Sequence, residues 1–188
     1  MTDWVFAPLA PLSYDLIFAD PPWRFKLYSA KGEKKSAQAH YRCMSLDDIK
    51  ALPVGHLARS DAVLVLWATA PMLPDGLDTM RAWGFRYVSM GFWHKKTING
   101  CTAFGTGYRL RSAGEPFLLG VIGNPKTSRS HRNLIEGLAR SHSQKPDSAY
   151  EWGETYMPGA RRADLFSRQS RPGWEAFGDQ VEKFDAVA

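Results

Sequence analysis

Apolar and polar positions along the chain fall into short runs of two kinds. Tyr14-Asp15-Leu16-Ile17-Phe18-Ala19 and Ala62-Val63-Leu64-Val65-Leu66-Trp67-Ala68 are rich in aromatic and branched residues. They are too short for ordinary helices and predict buried strands. Similar runs predict further strands near 86–93, 116–122 and 162–167. Helical spacing predicts helices near 46–51, 73–83 and 146–157. Ser45 caps the first, with Asp48 three residues on as a weak capping box. Leu73, Leu77 and Met80 give the second an apolar stripe, which Gly84 ends. Pro146 suits the first turn of the third, followed by Asp147 near the positive helix end. Strands alternating with helices predict an α/β fold, a mainly parallel sheet with helices on both faces. Ligands of such sheets sit at the carboxyl ends of the strands, where Asp20, Lys95 and Ser167 are expected to emerge.

Composition narrows the picture. A chain of 188 residues, 44% hydrophobic, suits one core, so residues 1–188 are read as a single domain. No stretch is apolar enough for a bilayer span, and Met1 to Trp4 lacks the basic start and apolar region of a signal peptide. Cys43 and Cys101 make no metal-ligand spacing and fit a reducing compartment, so a cytoplasmic location is expected. His131 and His142 have no metal-spaced partners, and no metal is expected.

Charge adds a partner. The formal net charge is +5, which favours a polyanion. Arg24, Lys26, Lys31, Lys34, Lys35 and Arg42 face only Glu33 within their segment, and Phe25, Tyr28, His40 and Tyr41 are interleaved with them. Such a segment, about 24–42, suits a substrate loop in which bases stack and phosphates meet cations. A second basic stretch holds Lys126, Arg129, Arg132, Arg140 and Lys145. A solvated surface loop is the alternative for either stretch.

The candidate chemistry lies at Asp20-Pro21-Pro22-Trp23, directly after the first strand. Proline fixes φ and lacks an N–H, so the carbonyls of this turn are held stiffly. Asp20 and a backbone carbonyl suit the two hydrogens of a planar conjugated amine, with the Trp23 indole stacked on its ring. The competing reading is a Pro-Pro turn with Trp23 as a core aromatic.

Asp-Pro-Pro-Trp after a hydrophobic strand resembles the catalytic motif of adenine amino-methyltransferases, and in particular the mRNA adenosine methyltransferase-like family, which has many bacterial and phage members. Further segments resemble that family in order. They are Ala62–Thr69, Trp83-Gly84-Phe85, Gly91-Phe92-Trp93-His94-Lys95, Gly105–Glu115, Gly120–Pro125, His142–Asp147, Asp164–Arg168 and Pro172-Gly173-Trp174. The resemblance implies a Rossmann-like methyltransferase fold, permuted so that the catalytic motif precedes the cofactor motif.

It also implies S-adenosylmethionine as cofactor and adenine in nucleic acid as substrate. Asp20 would lie near the cofactor's amino group or the target amine, serving the latter in the transition state together with the Pro21 carbonyl. Lys95, or its neighbour Lys96, would pair with the methionine carboxylate. Arg111, Ser112 and Glu115 would lie by the ribose, although Ser112 stands where the family often has asparagine. Thr127 and Ser128 would sit near the adenosine, and Lys145, Pro146, Phe166, Ser167 and Arg168 would flank the pocket. Gly105-Thr106-Gly107 resembles a phosphate-cradling loop, but so short a glycine pattern is read as a plain turn. DNA is the expected substrate, with RNA, a catalytically inactive nucleic-acid-binding subunit and methylation of another planar amine as alternatives. The intact Asp20 and Trp23 favour an enzyme. A homodimer is possible on this reading.

Overall fold

The computed structural model describes residues 4–24, 43–107, 109–141 and 144–185. The loop candidates Lys26, Lys31, Lys34, Lys35, Tyr41 and Arg42 lie outside these residues; Arg24 is exposed. Elements run β1 (Tyr14–Ala19), α1 (Leu46–Ala51), β2 (Ala58–Trp67), α2 (Leu73–Ala82), β3 (Arg86–Lys96), β4 (Gly114–Ile122), β5 (Leu134–Leu138), α3 (Asp147–Tyr156), β6 (Arg162–Leu165) and β7 (Trp174–Phe177). The strands form one seven-stranded sheet in the order β5-β3-β4-β2-β1-β6-β7.

Period two explains the layers. Ile17, Ala19, Leu64 and Leu66 point to one face, where Ile49 of α1 and Met80 of α2 complete a core. Leu16, Phe18, Val63, Val65 and Trp67 point to the other, against Ala149 and Tyr150 of α3. Both faces of β1 and β2 are thus dry, which is why these strands read as nearly continuous apolar runs. Burial of Ile17 alone contributes roughly 1.5–3 kcal/mol.

The expected ends shift little, and the caps are informative. Ser45 does cap α1, its hydroxyl accepting from the Asp48 N–H at 3.1 Å. Gly84 follows α2 with φ +84°, a conformation glycine adopts without strain. Pro146 is not in the first turn of α3 but one residue before it, at the N-cap with ψ 152°. That position needs no N–H from the proline and leaves Asp147 as the first helical residue.

The sheet is mixed. β1 pairs in parallel with β2 and β6, β3 with β5, and β6 with β7. β4 runs antiparallel to both its neighbours, β2 and β3. One reversed strand therefore brings its own beginning to the edge where all the others end. No helix among the described residues is long and apolar enough to cross a membrane.

Candidate active site

Four charged side chains meet at that edge. The Lys145 ammonium, only 6% exposed, donates to Asp20 Oδ2 at 2.7 Å and to Glu115 Oε1 at 2.8 Å. Lys95 donates to Glu115 Oε2 at 3.1 Å. Each cation also rests on an indole, Lys145 at 5.0 Å from Trp67 and Lys95 at 4.4 Å from Trp93. Such contacts offset part of the cost of drying an ammonium.

The fold dictates this meeting. Asp20 follows β1, with its N–H donating to Leu165 O on β6. Lys95 lies near the end of β3. Glu115 is the second residue of the reversed β4, paired across from Trp93. Lys145 precedes α3. Alternation along β3 turns Lys96 the other way, to Glu136 at 3.2 Å. Of the two neighbouring lysines, only Lys95 joins the cluster.

The titration of the cluster follows from its geometry. Burial raises the proton affinity of Asp20, and Glu115 adds to it; Lys145 opposes them, and the carboxyl remains above its ordinary range. Burial pushes Glu115 the same way, but Lys145 and Lys95 together outweigh it and hold the group below its usual value. For Lys145, burial favours the neutral amine and the two carboxylates overcome it, so the ammonium is held well above its usual range.

The Pro-Pro turn is braced from both sides. The Trp23 N–H donates to Pro21 O at 2.7 Å, and the Met44 N–H to Pro22 O at 3.0 Å. The Trp23 indole donates to Trp67 O at 3.0 Å. Trp23 is 4% exposed and packed in the core below the sheet, so its ring is not an open platform. It fixes the turn to the end of β2 and thereby positions Asp20. The Pro21 carbonyl keeps a second lone pair for a further donor.

Other expected site residues divide. Ser167 is buried, its N–H donating to Phe177 O at 3.0 Å and its hydroxyl to Gln169 O at 2.9 Å. Phe166 takes φ +63°, rare for a bulky residue and a mark of strain at the end of β6, beside Asp20. Arg111 and Ser112 do not converge on the cluster. Arg111 stacks its guanidinium over Phe104 at 5.5 Å, and Ser112 donates to Gly114 O within its own loop. Ser128 donates its N–H to Tyr156 O, at the end of α3 away from Lys145, so the 127–128 segment is not brought to the site. Arg168 donates to Gln180 Oε1 at 2.8 Å. Gly105 and Gly107 serve close backbone approach: the Gly105 N–H donates to Ser112 O, from which a Cβ would stand 2.8 Å away, and Gly107 lies against Leu110 O.

The sequence reading placed Asp164 in a family-like segment without giving it a role, and did not find Tyr150. Tyr150 donates to the buried Asp164 carboxylate at 2.9 Å, and Arg171 lies 3.9 Å over the Tyr150 ring. Burial raises the Asp164 carboxyl to about 6, although the nearby Ser167 hydroxyl and the hydrogen bond from Tyr150 oppose the shift. Nothing in the short strand Arg162-Ala163-Asp164-Leu165 announces this; only a carboxylate inside a strand hints at a partner.

A zwitterionic amino-acid head fits the donor set, since the ammoniums of Lys145 and Lys95 suit a carboxylate and Asp20 and Glu115 suit an ammonium.

The MT-A70 family model matches residues 14–180. The chain is 27% identical over 198 residues to the Type II methyltransferase M.MunI of a Mycoplasma species, covering 95% of this chain and 82% of that protein. It is 29% identical over 174 residues to an N(6)-adenosine-methyltransferase MT-A70-like protein of Arabidopsis thaliana, covering 90% of this chain but 24% of that protein. With the human N(6)-adenosine-methyltransferase catalytic subunit METTL3 the identity is 29% over 175 residues, covering 90% and 28%.

Proposed function

From the premise that the chain belongs to the MT-A70 family, whose members use S-adenosylmethionine as methyl donor, we propose that it methylates the exocyclic 6-amino group of adenine in DNA. The observation that carries the reading is Asp20, held at the strand edge by the buried Lys145 beside the partly exposed Lys95 and a second carboxylate. The donor supplies a sulfonium methyl, already activated toward attack. Lys145 and Lys95 would hold its carboxylate. Asp20 accepts one N–H of the target amine and the Pro21 carbonyl accepts the other. These bonds favour a pyramidal nitrogen and free the lone pair from the ring. Such acceptors are fixed before reaction, so they stabilise the transition state at no cost of reorganisation. Near-attack positioning contributes much of the rest. The base must be unpaired or flipped to reach Asp20.

The DNA reading is supported by the match to M.MunI, a Type II methyltransferase by name, and RNA is the alternative that the N(6)-adenosine-methyltransferase relatives support; the chain spans about a quarter of the length of those relatives. Location in the cytoplasm and self-association as a homodimer belong to the same proposal.

The test is transfer of labelled methyl from S-adenosylmethionine to matched DNA and RNA, with products resolved as nucleosides. Label in 6-methyldeoxyadenosine is expected. Label only in the ribonucleoside overturns the DNA assignment, and label in neither overturns the reading. Asp20→Ala is expected to lower transfer by about 10²-fold or more, on the scale of losing one oxyanion-hole donor.

A further inference from the structure

The segment joining β3 to β4, residues 97–113, stands on the same edge as the charge cluster. It is a hydrogen-bonded tongue. The Ala103 N–H donates to Lys95 O, Gly105 to Ser112 O, Ser112 to Thr106 O and Lys95 to Ala113 O, all within 2.8–3.1 Å. At its surface Phe104 is 81% and Leu110 86% exposed, with Ile98 beside them in the sequence equally open. An exposed aromatic of this kind has given up the burial its ring would gain in a core. Residues 97–113 contain Arg109 and Arg111 and no carboxylate. Arg111 lies over the Phe104 ring, so a cation and a flat apolar face are presented together. That pair matches a nucleotide, whose base offers a π-face and whose phosphate offers a charge.

We propose that the tongue binds an unpaired nucleotide flanking the target adenine, with Phe104 stacking on its base and Arg109 and Arg111 meeting the phosphates. The assignment rests on the adenine methyltransferase reading above. Stacking on Phe104 gives affinity with little dependence on which base is present. The arginines add a salt-sensitive component.

The experiment measures binding of a fluorescein-labelled single-stranded oligodeoxynucleotide containing adenine, by anisotropy over a range of salt, together with methyl transfer to the same strand. Phe104→Ala is expected to weaken binding and raise KM about tenfold, with kcat and calorimetric affinity for S-adenosylmethionine unchanged. Arg111→Ala is expected to flatten the slope of log affinity against log salt by about 0.7, one single-strand phosphate contact. Both side chains are exposed, and thermal unfolding checks that each variant folds. Unchanged oligonucleotide affinity and salt slope in both variants, with transfer intact, overturn the proposal. A loss confined to self-association in sedimentation overturns it too, and assigns the tongue to a protein contact. A wild-type chain that binds the oligonucleotide through Phe104 but transfers no methyl overturns the methyltransferase reading while the tongue stands.

Discussion

At the scale of single residues, Lys145 is the centre of the molecule's electrostatics. Remove its ammonium and the Asp20 and Glu115 carboxylates, both only partly exposed, are left facing each other with Lys95 to compensate one of them. Lys145→Met is therefore expected to lose about 3–5 kcal/mol near neutral pH, as when one partner of a buried pair is removed. Part of that loss should return on acidification, because the stranded carboxyls protonate readily. Denaturant unfolding across pH checks this, and unchanged stability contradicts it. Asp164 has the opposite character, since it is costly to charge even in the native protein. Its folded value of about 6 lies above the unfolded value of about 3.9. The folded state thus binds the extra proton, and stability falls as pH rises between about 4 and 6, by up to roughly 3 kcal/mol. Asp164→Asn should abolish that slope, leaving stability flatter across the same window. An equal slope in both proteins refutes the assignment.

At the scale of elements, close packing decides against local propensity. Gly153 sits in the middle of α3, where alanine would gain about 1 kcal/mol of helix propensity. A Cβ there would stand 2.8 Å from the Phe18 ring. That ring lies 4.6 Å from Trp174 and 5.7 Å from Tyr150, so it has nowhere to swing. Overpacking of about 1–3 kcal/mol should win, and Gly153→Ala is expected to lower the melting temperature by a few degrees; a rise refutes it. The same balance explains what could be read from sequence. β1 and α1 were legible to the residue because one is apolar on both faces and the other has a capping serine. β5 was not, because Leu-Ile-Glu-Gly-Leu is an edge strand whose leucines are half exposed. β7 escaped because four residues carry no measurable period. The reversal of β4 leaves no trace in its own composition. Its sign lies in the connection, since 97–113 contains no crossover helix and a parallel return needs one. Asp20, Lys95, Glu115 and Lys145 were all named from sequence. Their mutual contact was not, because it depends on that reversal. For Trp23 the structure takes the competing core-aromatic reading over the stacking platform, because a strand-end indole beside another strand's free carbonyl finds a buried partner.

At the scale of the whole molecule, the charge cluster is a small patch of high energy on a well-packed sheet. A ligand that completes it should stabilise everything. S-Adenosylmethionine at a hundredfold excess over its Kd is expected to add about 2.7 kcal/mol. In a chain of this length that corresponds to a melting shift of roughly 5–10 °C, at about 2–4 °C per kcal/mol. Differential scanning calorimetry with and without the compound measures it, and no shift speaks against the site. The reversed strand has one more result. Because ladder pairs hold Lys95 and Glu115 at the roots of the tongue, the segment between them is a cassette. Its length and lettering can change while the chemistry behind it keeps its place. Each doubling of such a loop costs only about 0.6 kcal/mol of closure entropy. On the proposal made for the tongue, the architecture thus separates how a strand is held from what is done to it, and a new grip can be grafted onto an unaltered workbench.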